Sequence, residues 1–364
     1  MKTKEIKKMP KKKRKSKRLT IKDFLSTGST LLNLACTGKP NCGFAKGKYY
    51  FIVGDSISGK TFLSLTCLAE ASINSNFDDY RFIYDNSEDG AMMDVAKFFG
   101  DKLAKRMEPP GRAFAQSGPE APIYSSTIEE FYYHVDDAIR KNRPFIYILD
   151  SMDSLSSKDE ADKFDEAKSA YRKGKDAAGS YGVSKAKENS MKLRRILTPL
   201  RKTGSILIII NQTRDKIGGF GFEKKTRSGG HALRFYATIE MWSSVRSRIS
   251  KTIKGKKRQL GVKCKIEVKK NRITGKERII YISIYHSFGI DDIGSCVDYL
   301  IEEEAWEQRG KIIKAKEFDF KSTKENLIRH IEENELEMDL REIVSDVWNE
   351  IEDACTVKRK KKYE

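Results

Sequence analysis

The segment that most restricts how this chain folds is Gly54-Asp55-Ser56-Ile57-Ser58-Gly59-Lys60-Thr61, an unbroken G-x-x-x-x-G-K-[ST] followed by Phe62. Such a segment binds phosphate only where a strand delivers it and a helix leaves it. Tyr49-Tyr-Phe-Ile-Val53 predicts a buried strand before it, and Phe62 to Ala71 has helical apolar spacing after it. Glycines at both ends let the backbone wrap an anion, successive N–H groups point inward, and the helix contributes its positive end. Gly54 to Phe62 are therefore the candidate ATP-binding residues. In that frame Lys60 reaches the β- and γ-phosphates and the Thr61 hydroxyl ligates Mg²⁺.

A loop of this kind needs a second oxygen ligand for the metal at the end of a neighbouring buried strand. Phe145-Ile-Tyr-Ile-Leu149 followed by Asp150 supplies one. A turn aspartate ending an ordinary strand is the plain alternative, and it is the phosphate loop upstream that weighs against it. A third strand, Tyr80 to Tyr84, ends in Asp85-Asn-Ser-Glu88, and a fourth, Ser205 to Ile210, ends in Asn211-Gln212. In open α/β sheets ligands gather at the carboxyl ends of the strands. Glu88 is thus a candidate to polarise an attacking water, and Gln212 to sense the γ-phosphate.

Charge adds a partner. The 364 residues carry a formal net charge of +19, unevenly placed. Met1 to Lys22 holds 12 basic residues against one acidic, and Val357 to Glu364 adds +4. Val245 to Lys276 holds 13 basic residues against Glu267, whereas Asp298 to Asp353 holds 18 acidic against 8 basic. Like-charge blocks resist folding alone, so both ends read as arms for a polyanion, or as solubilising tails. Pro10-Lys-Lys-Lys-Arg-Lys15 resembles a nuclear-import signal and serves equally well as a grip on DNA. Apolar runs such as Ile206 to Ile210 fall far short of the roughly 20 residues a membrane span needs. No apolar stretch follows the basic start, so an intracellular place is expected. Six cysteines without a C-x-x-C pair fit reduced thiols.

Several further segments carry a family likeness. Leu25-Ser-Thr-Gly-Ser-Thr30, Asp150-Ser-Met-Asp-Ser-Leu155, Ile210-Asn-Gln-Thr-Arg214, Lys216-Ile-Gly218, Ser228-Gly-Gly-His-Ala-Leu-Arg-Phe-Tyr-Ala237 and Val268-Lys-Lys-Asn-Arg272 occur in that order. The series resembles the RecA family of strand-exchange recombinases, and more particularly its phage UvsX-like and viral members. The likeness spans about residues 25 to 300. It implies an α/β RecA-type ATPase core, a mostly parallel central sheet flanked by helices, and a filament on single-stranded DNA that pairs with homologous duplex DNA. ATP and Mg²⁺ would lie between subunits, with single-strand-binding and loading proteins as further partners.

Residue by residue, the resemblance implies that Glu88 is the catalytic glutamate and that Gln212 links ATP state to DNA. Lys270 and Arg272 match cations that cap the γ-phosphate from the adjacent subunit. Thr213 to Gly230 matches the second DNA-binding loop. Arg214, Lys216, Lys224, Lys225 and Arg227 suit phosphate contacts, and Phe220 and Phe222 suit stacking. Gly218, Gly219, Gly221, Gly229 and Gly230 supply freedom of backbone. A first DNA loop falls near Ser180 and Tyr181, ahead of a helix from about Lys187 to Arg201.

The pattern also departs from the family. One extra residue separates Asp85 from Glu88, which keeps Asp85 a rival for the catalytic carboxylate. Ser156 to Ala178 is a charged insertion, either a solvated helix or an extension of the first loop. The long N-terminal helix of bacterial members is missing, and only a short strand around Leu19 to Phe24 stands in its place. The expected organisation is a basic arm over 1–24, the core over 25–300, a small acidic helical module over 301–356 and a basic tail over 357–364. Charge alone gives the expectation that this module leans on the basic segment and limits access of duplex DNA. Two other functions share these motifs: a helicase or translocase on the same fold, and a DNA-binding scaffold without productive turnover.

Overall fold

In the computed structural model, which describes residues 19–88, 93–113, 120–172, 183–215, 225–227 and 230–360, these apolar runs lie side by side. The first half of the chain forms β1 (Phe24–Leu25), α1 (Thr30–Thr37), β2 (Phe44–Ala45), β3 (Tyr49–Gly54), α2 (Lys60–Ile73), β4 (Arg81–Asp85), α3 (Val95–Phe99), α4 (Asp101–Arg106), β5 (Met107–Glu108), β6 (Gly111–Ala113), β7 (Ala121–Ile123), α5 (Ile128–Arg140), β8 (Phe145–Leu149), α6 (Lys158–Arg172) and α7 (Val183–Thr203). The second half forms β9 (Ile206–Asp215), β10 (Lys225–Arg227), α8 (His231–Tyr236), β11 (Ile239–Ile253), β12 (Lys256–Asn271), β13 (Arg278–Tyr285), β14 (Gly289–Asp291), α9 (Asp292–Glu302), β15 (Glu307–Arg309), β16 (Ile312–Ala315), β17 (Phe320–Thr323), α10 (Lys324–Glu333) and α11 (Glu337–Ala354).

The main sheet has the order β14-β13-β12-β11-β3-β9-β8-β4-β5, with β10 added beside β9. From β11 to β5 neighbours are parallel, and from β11 to β14 they are antiparallel. Side chains alternate between faces along each strand. Tyr50 and Ile52 of β3 join Ile146, Ile148, Ile208 and Ile210 in one core, under α1, α2 and α9. Tyr49, Phe51 and Val53 join Tyr147, Leu149, Leu207 and Ile209 in the other, under α5 and α7. Burial on both faces explains why these strands read as unbroken apolar runs. The fold is of the α/β class expected, with a central sheet that is parallel in its middle and antiparallel at one end.

Several segments differ from their sequence reading. The fourth strand does not stop at Ile210: β9 runs on to Asp215 because β10 pairs with its polar end, Arg227 opposite Thr213. The basic stretch from Val245 is largely a hairpin of β11 and β12, joined by Lys254 and Gly255 at φ of 52° and 73°. Positive φ at both positions is what a two-residue hairpin turn requires. β11 pairs with β3 only as far as Ser243, and β12 with β13 only from Gly261, so the outer hairpin extends past both neighbours. The charged insertion forms α6, which is mostly exposed, including Phe164. The last module is helical only in part. Its apolar residues first build the antiparallel β15-β16-β17 sheet, where Ile313 and Ala315 point inward between exposed Ile312 and Lys314. Leu327, Ile331, Leu340, Val344 and Trp348 are buried in the same core as α1 and α2. Around the expected N-terminal strand only Phe24–Leu25 pairs, with β2, while Leu19 and Ile21 are exposed. All six cysteines are free thiols, and no described helix is long and apolar enough to cross a membrane.

Opposite charge joins α11 to the region of β13. Glu352 accepts hydrogen bonds from Lys276 and from Arg278, the latter through Nη2 at 2.7 Å and also through Nε. The guanidinium hydrogen bonds hold the Glu352 carboxyl at about 2, below its ordinary 4.5. A carboxylate whose pKa is lowered on folding stabilises above its unfolded value and loses that contribution as pH falls through the folded one. Glu352→Gln is expected to cost about 1–2 kcal/mol at neutral pH, allowing for solvent screening. The deficit should shrink from pH 4.5 towards 2, which urea unfolding across that range measures. A deficit constant with pH would contradict the assignment.

Candidate nucleotide and nucleic-acid site

The phosphate loop leaves β3 in close contact with its neighbours. A Cβ on Gly54 would lie 2.3 Å from the Ser243 carbonyl oxygen, and Ser243 Oγ donates to the Ser58 carbonyl at 2.6 Å. Gly59 begins α2 at φ 81°, and a Cβ there would meet Ile284 Cδ1 at 2.3 Å. Space therefore requires glycine at 54, where the obstacle is backbone, and the left-handed conformation requires it at 59. Lys60 is buried, and its Nζ donates to the Asp55 carbonyl at 2.7 Å. Burial lowers the Lys60 pKa, and Asp150, Glu88 and Asp55 oppose that shift.

The strand ends then meet. Asp150 Oδ2 accepts from Thr61 Oγ1 at 2.6 Å and from the Tyr84 hydroxyl at 3.0 Å. Burial raises the Asp150 pKa, against the pull of those two donors. A hydroxyl and a carboxylate, placed together beside a phosphate loop, are the hard oxygen donors that Mg²⁺ takes alongside phosphate oxygens, so the residues fit that ion. Glu88 Oε1 accepts from Gln212 Nε2 at 3.0 Å and from Ser151 Oγ, which gathers β4, β8 and β9 at one point. Asp85 is occupied differently. It is fully buried and accepts from Ser125 N at 2.9 Å, Ser125 Oγ at 2.6 Å and the Tyr147 hydroxyl at 2.6 Å.

A pocket of about 180 Å³ lies beside Ile57 to Phe62 and is lined on its other side by Val262, Ile284, Tyr285 and His286. These four belong to no motif near the loop. β13 ends at Tyr285, and only the sheet topology brings that end to α2. Lys270 and Arg272 are elsewhere. Lys270 Nζ donates to the Phe235 carbonyl at 2.8 Å and Arg272 Nη2 to the same oxygen at 2.6 Å, at the end of α8. They line a separate cleft of about 500 Å³ with His231, Arg234 and Glu277. One chain thus unites Lys60, Thr61, Glu88, Asp150 and Gln212, and leaves the two cations in another cleft.

Of the candidate DNA-binding residues, Arg214, Lys225 and Arg227 lie on the β9–β10 ribbon, and Gly230 lies at the entry to α8. Lys216, Gly218, Gly219, Phe220, Phe222, Lys224, Gly229, Ser180 and Tyr181 lie outside the described residues.

A family model for the RecA N-terminal domain matches residues 144–291, from the start of β8 to the end of β14. Protein RecA of Trichodesmium erythraeum is 25% identical over 312 residues, 86% of this chain and 76% of that protein. Protein RecA of Rhodopirellula baltica is 27% identical over 299 residues, 82% of this chain and 70% of that protein. Protein RecA of Rickettsia massiliae is 27% identical over 332 residues, 90% of this chain and 86% of that protein. The similarity to RecA proteins therefore extends beyond the phosphate loop over most of the chain.

Proposed function

We propose that this chain is a DNA-dependent ATPase and recombinase of the RecA type, on the phage UvsX-like branch, which coats single-stranded DNA as a filament and exchanges strands with homologous duplex DNA. The observation that carries this reading is the 3.0 Å contact between Gln212 Nε2 and Glu88 Oε1. It joins the group suited to activate water to the strand that continues into the basic ribbon.

In this reading Lys60 and the backbone N–H groups of the loop bind the phosphates, and Thr61 and Asp150 hold Mg²⁺, which neutralises phosphate charge. Glu88 accepts the proton of the attacking water. Gln212 reports on the state of the site. Lys270 and Arg272 line a different cleft from Lys60, so their action on ATP requires a neighbouring subunit, and assembly completes the site.

Binding of single-stranded DNA tests the reading. If Arg214, Lys216, Lys224, Lys225 and Arg227 each neutralise a phosphate, log K against log salt should fall with a slope of roughly −3.5 per subunit. Little sequence preference should accompany it. A slope near zero, read by fluorescence anisotropy on labelled oligonucleotides, would falsify the assignment of that segment.

A further inference from the structure

β11 carries a carboxylate between two core residues. Ile239 and Met241 belong to one core, and Glu240 between them turns to the other face of the sheet, where it is fully buried. Its Oε2 lies 3.0 Å from Arg234 Nε of α8, and its Oε1 accepts from Trp242 Nε1 at 3.1 Å. In the antiparallel register Glu240 stands opposite Lys270. Lys269 Nζ sits over the Trp242 ring, 4.1 Å from its centre. Arg234, Lys269 and Lys270 all line the cleft that also holds Arg272, so Glu240 lies beneath one side of that cleft.

A buried carboxylate is costly unless its partners repay the lost hydration. Four cations gathered in one cleft repel one another, and a negative charge beneath them offsets part of that repulsion. The arrangement also fixes direction. The Arg234 side chain is 51% exposed and that of Glu240 only 1%, so the guanidinium is held from below and open above. α8 is itself clamped, because Leu233 is buried in the core and Lys270 and Arg272 both donate to the Phe235 carbonyl. Arg234 is therefore a placed donor, and a guanidinium presents its donors to phosphate in a rigid fork.

We propose that Glu240 is a positioning residue of the assembled active site, holding Arg234 where its guanidinium joins Lys270 and Arg272 on the triphosphate of the adjacent subunit. Glu240 acts through Arg234 and touches no nucleotide. Arg234 is then a third cation supplied across the subunit boundary. The inference rests on the reading that assembly completes the site, and it adds two residues to that site.

The test mixes full-length subunits on single-stranded DNA and reads ATP hydrolysis, with assembly followed by the anisotropy of a labelled oligothymidine. Glu240→Gln, which keeps size and removes charge, should still assemble but lower turnover about tenfold or more, the scale on which a misplaced group costs rate. Arg234→Ala should do the same, and the double variant should fall no further than the lower single one. A Glu240→Gln subunit keeps its own Lys60 and Glu88, whereas a Glu88→Gln subunit keeps its own Glu240 and Arg234. Each subunit of an open filament offers one face and receives the other, so an equal mixture of the two should regain about a quarter of wild-type turnover, far above either alone. Recovery of that kind is not open to a residue with a merely structural role. Arg234→Ala mixed with Glu88→Gln makes the same measurement if the Glu240→Gln chain fails to fold. Full turnover by Glu240→Gln alone would overturn the proposal. So would a mixture no more active than its parts when Lys270→Ala with Glu88→Gln does recover. If that control pair also stays inactive, it is the reading of assembly that fails, and the role of Glu240 falls with it.

Discussion

Replacing Lys60 with alanine is expected to lower ATP turnover on the order of a hundred- to a thousandfold, the usual effect of deleting one preorganised charge from a transition-state site. Lys60 is buried near Asp150, Glu88 and Asp55, whose charges oppose the lowering of its pKa by burial. The hydrogen bond from its Nζ to the Asp55 carbonyl is of the kind a phosphate displaces. Lys60→Arg should not restore turnover, because a planar fork is not a point charge and the space beside Ser58 and Gly59 is closed by Ser243 and Ile284. Steady-state hydrolysis, with nucleotide binding measured separately, reads the effect. Full turnover by Lys60→Ala would remove the phosphate-loop assignment.

The second large effect separates the two carboxylates that the sequence leaves as rivals. Glu88→Gln should slow hydrolysis about a hundredfold or more, the range for loss of a positioned general base, while nucleotide still binds. The amide keeps the size of the side chain and its approach to Ser151 and Gln212, so folding should change little. Asp85→Asn should do the reverse. Its two oxygens accept from Ser125 and Tyr147 in a fully buried setting, and an amide nitrogen there would face donors. The expected cost is about 1–3 kcal/mol of stability, measured by urea unfolding, with turnover per folded molecule largely kept. Asp85→Asn losing turnover at unchanged stability, with Glu88→Gln active, would exchange the two roles.

The rivalry shows what the sequence could carry. Glu88 and Asp85 both follow the same strand, and local register cannot separate them. The partners that do, Ser125 and Tyr147, lie 40 and 62 residues away. The phosphate loop and the strands at Tyr49, Phe145 and Ile206 were legible because local spacing and two-sided burial write themselves directly into residue type. The outer hairpin was hidden by its own chemistry. Where both faces of a strand meet solvent, Arg246, Arg248, Lys251 and Lys257 give no alternation to read. The hydrogen bond from Thr213 to Asp55 was hidden for another reason: it spans 158 residues and exists only because β3 and β9 are adjacent. The β15–β17 sheet, with strands of three or four residues, is too short for a period to emerge beside the helical spacing of α10 and α11.

The central claim joins nucleotide turnover, single-stranded DNA and strand exchange in one chain. It is tested most directly by following ATP hydrolysis with and without single-stranded DNA while scoring invasion of a homologous duplex in the same samples. The expected result is hydrolysis stimulated by the single strand together with ATP-dependent joint molecules that require homology. Hydrolysis with duplex unwinding but no joint molecules, or assembly on DNA without turnover, would contradict it.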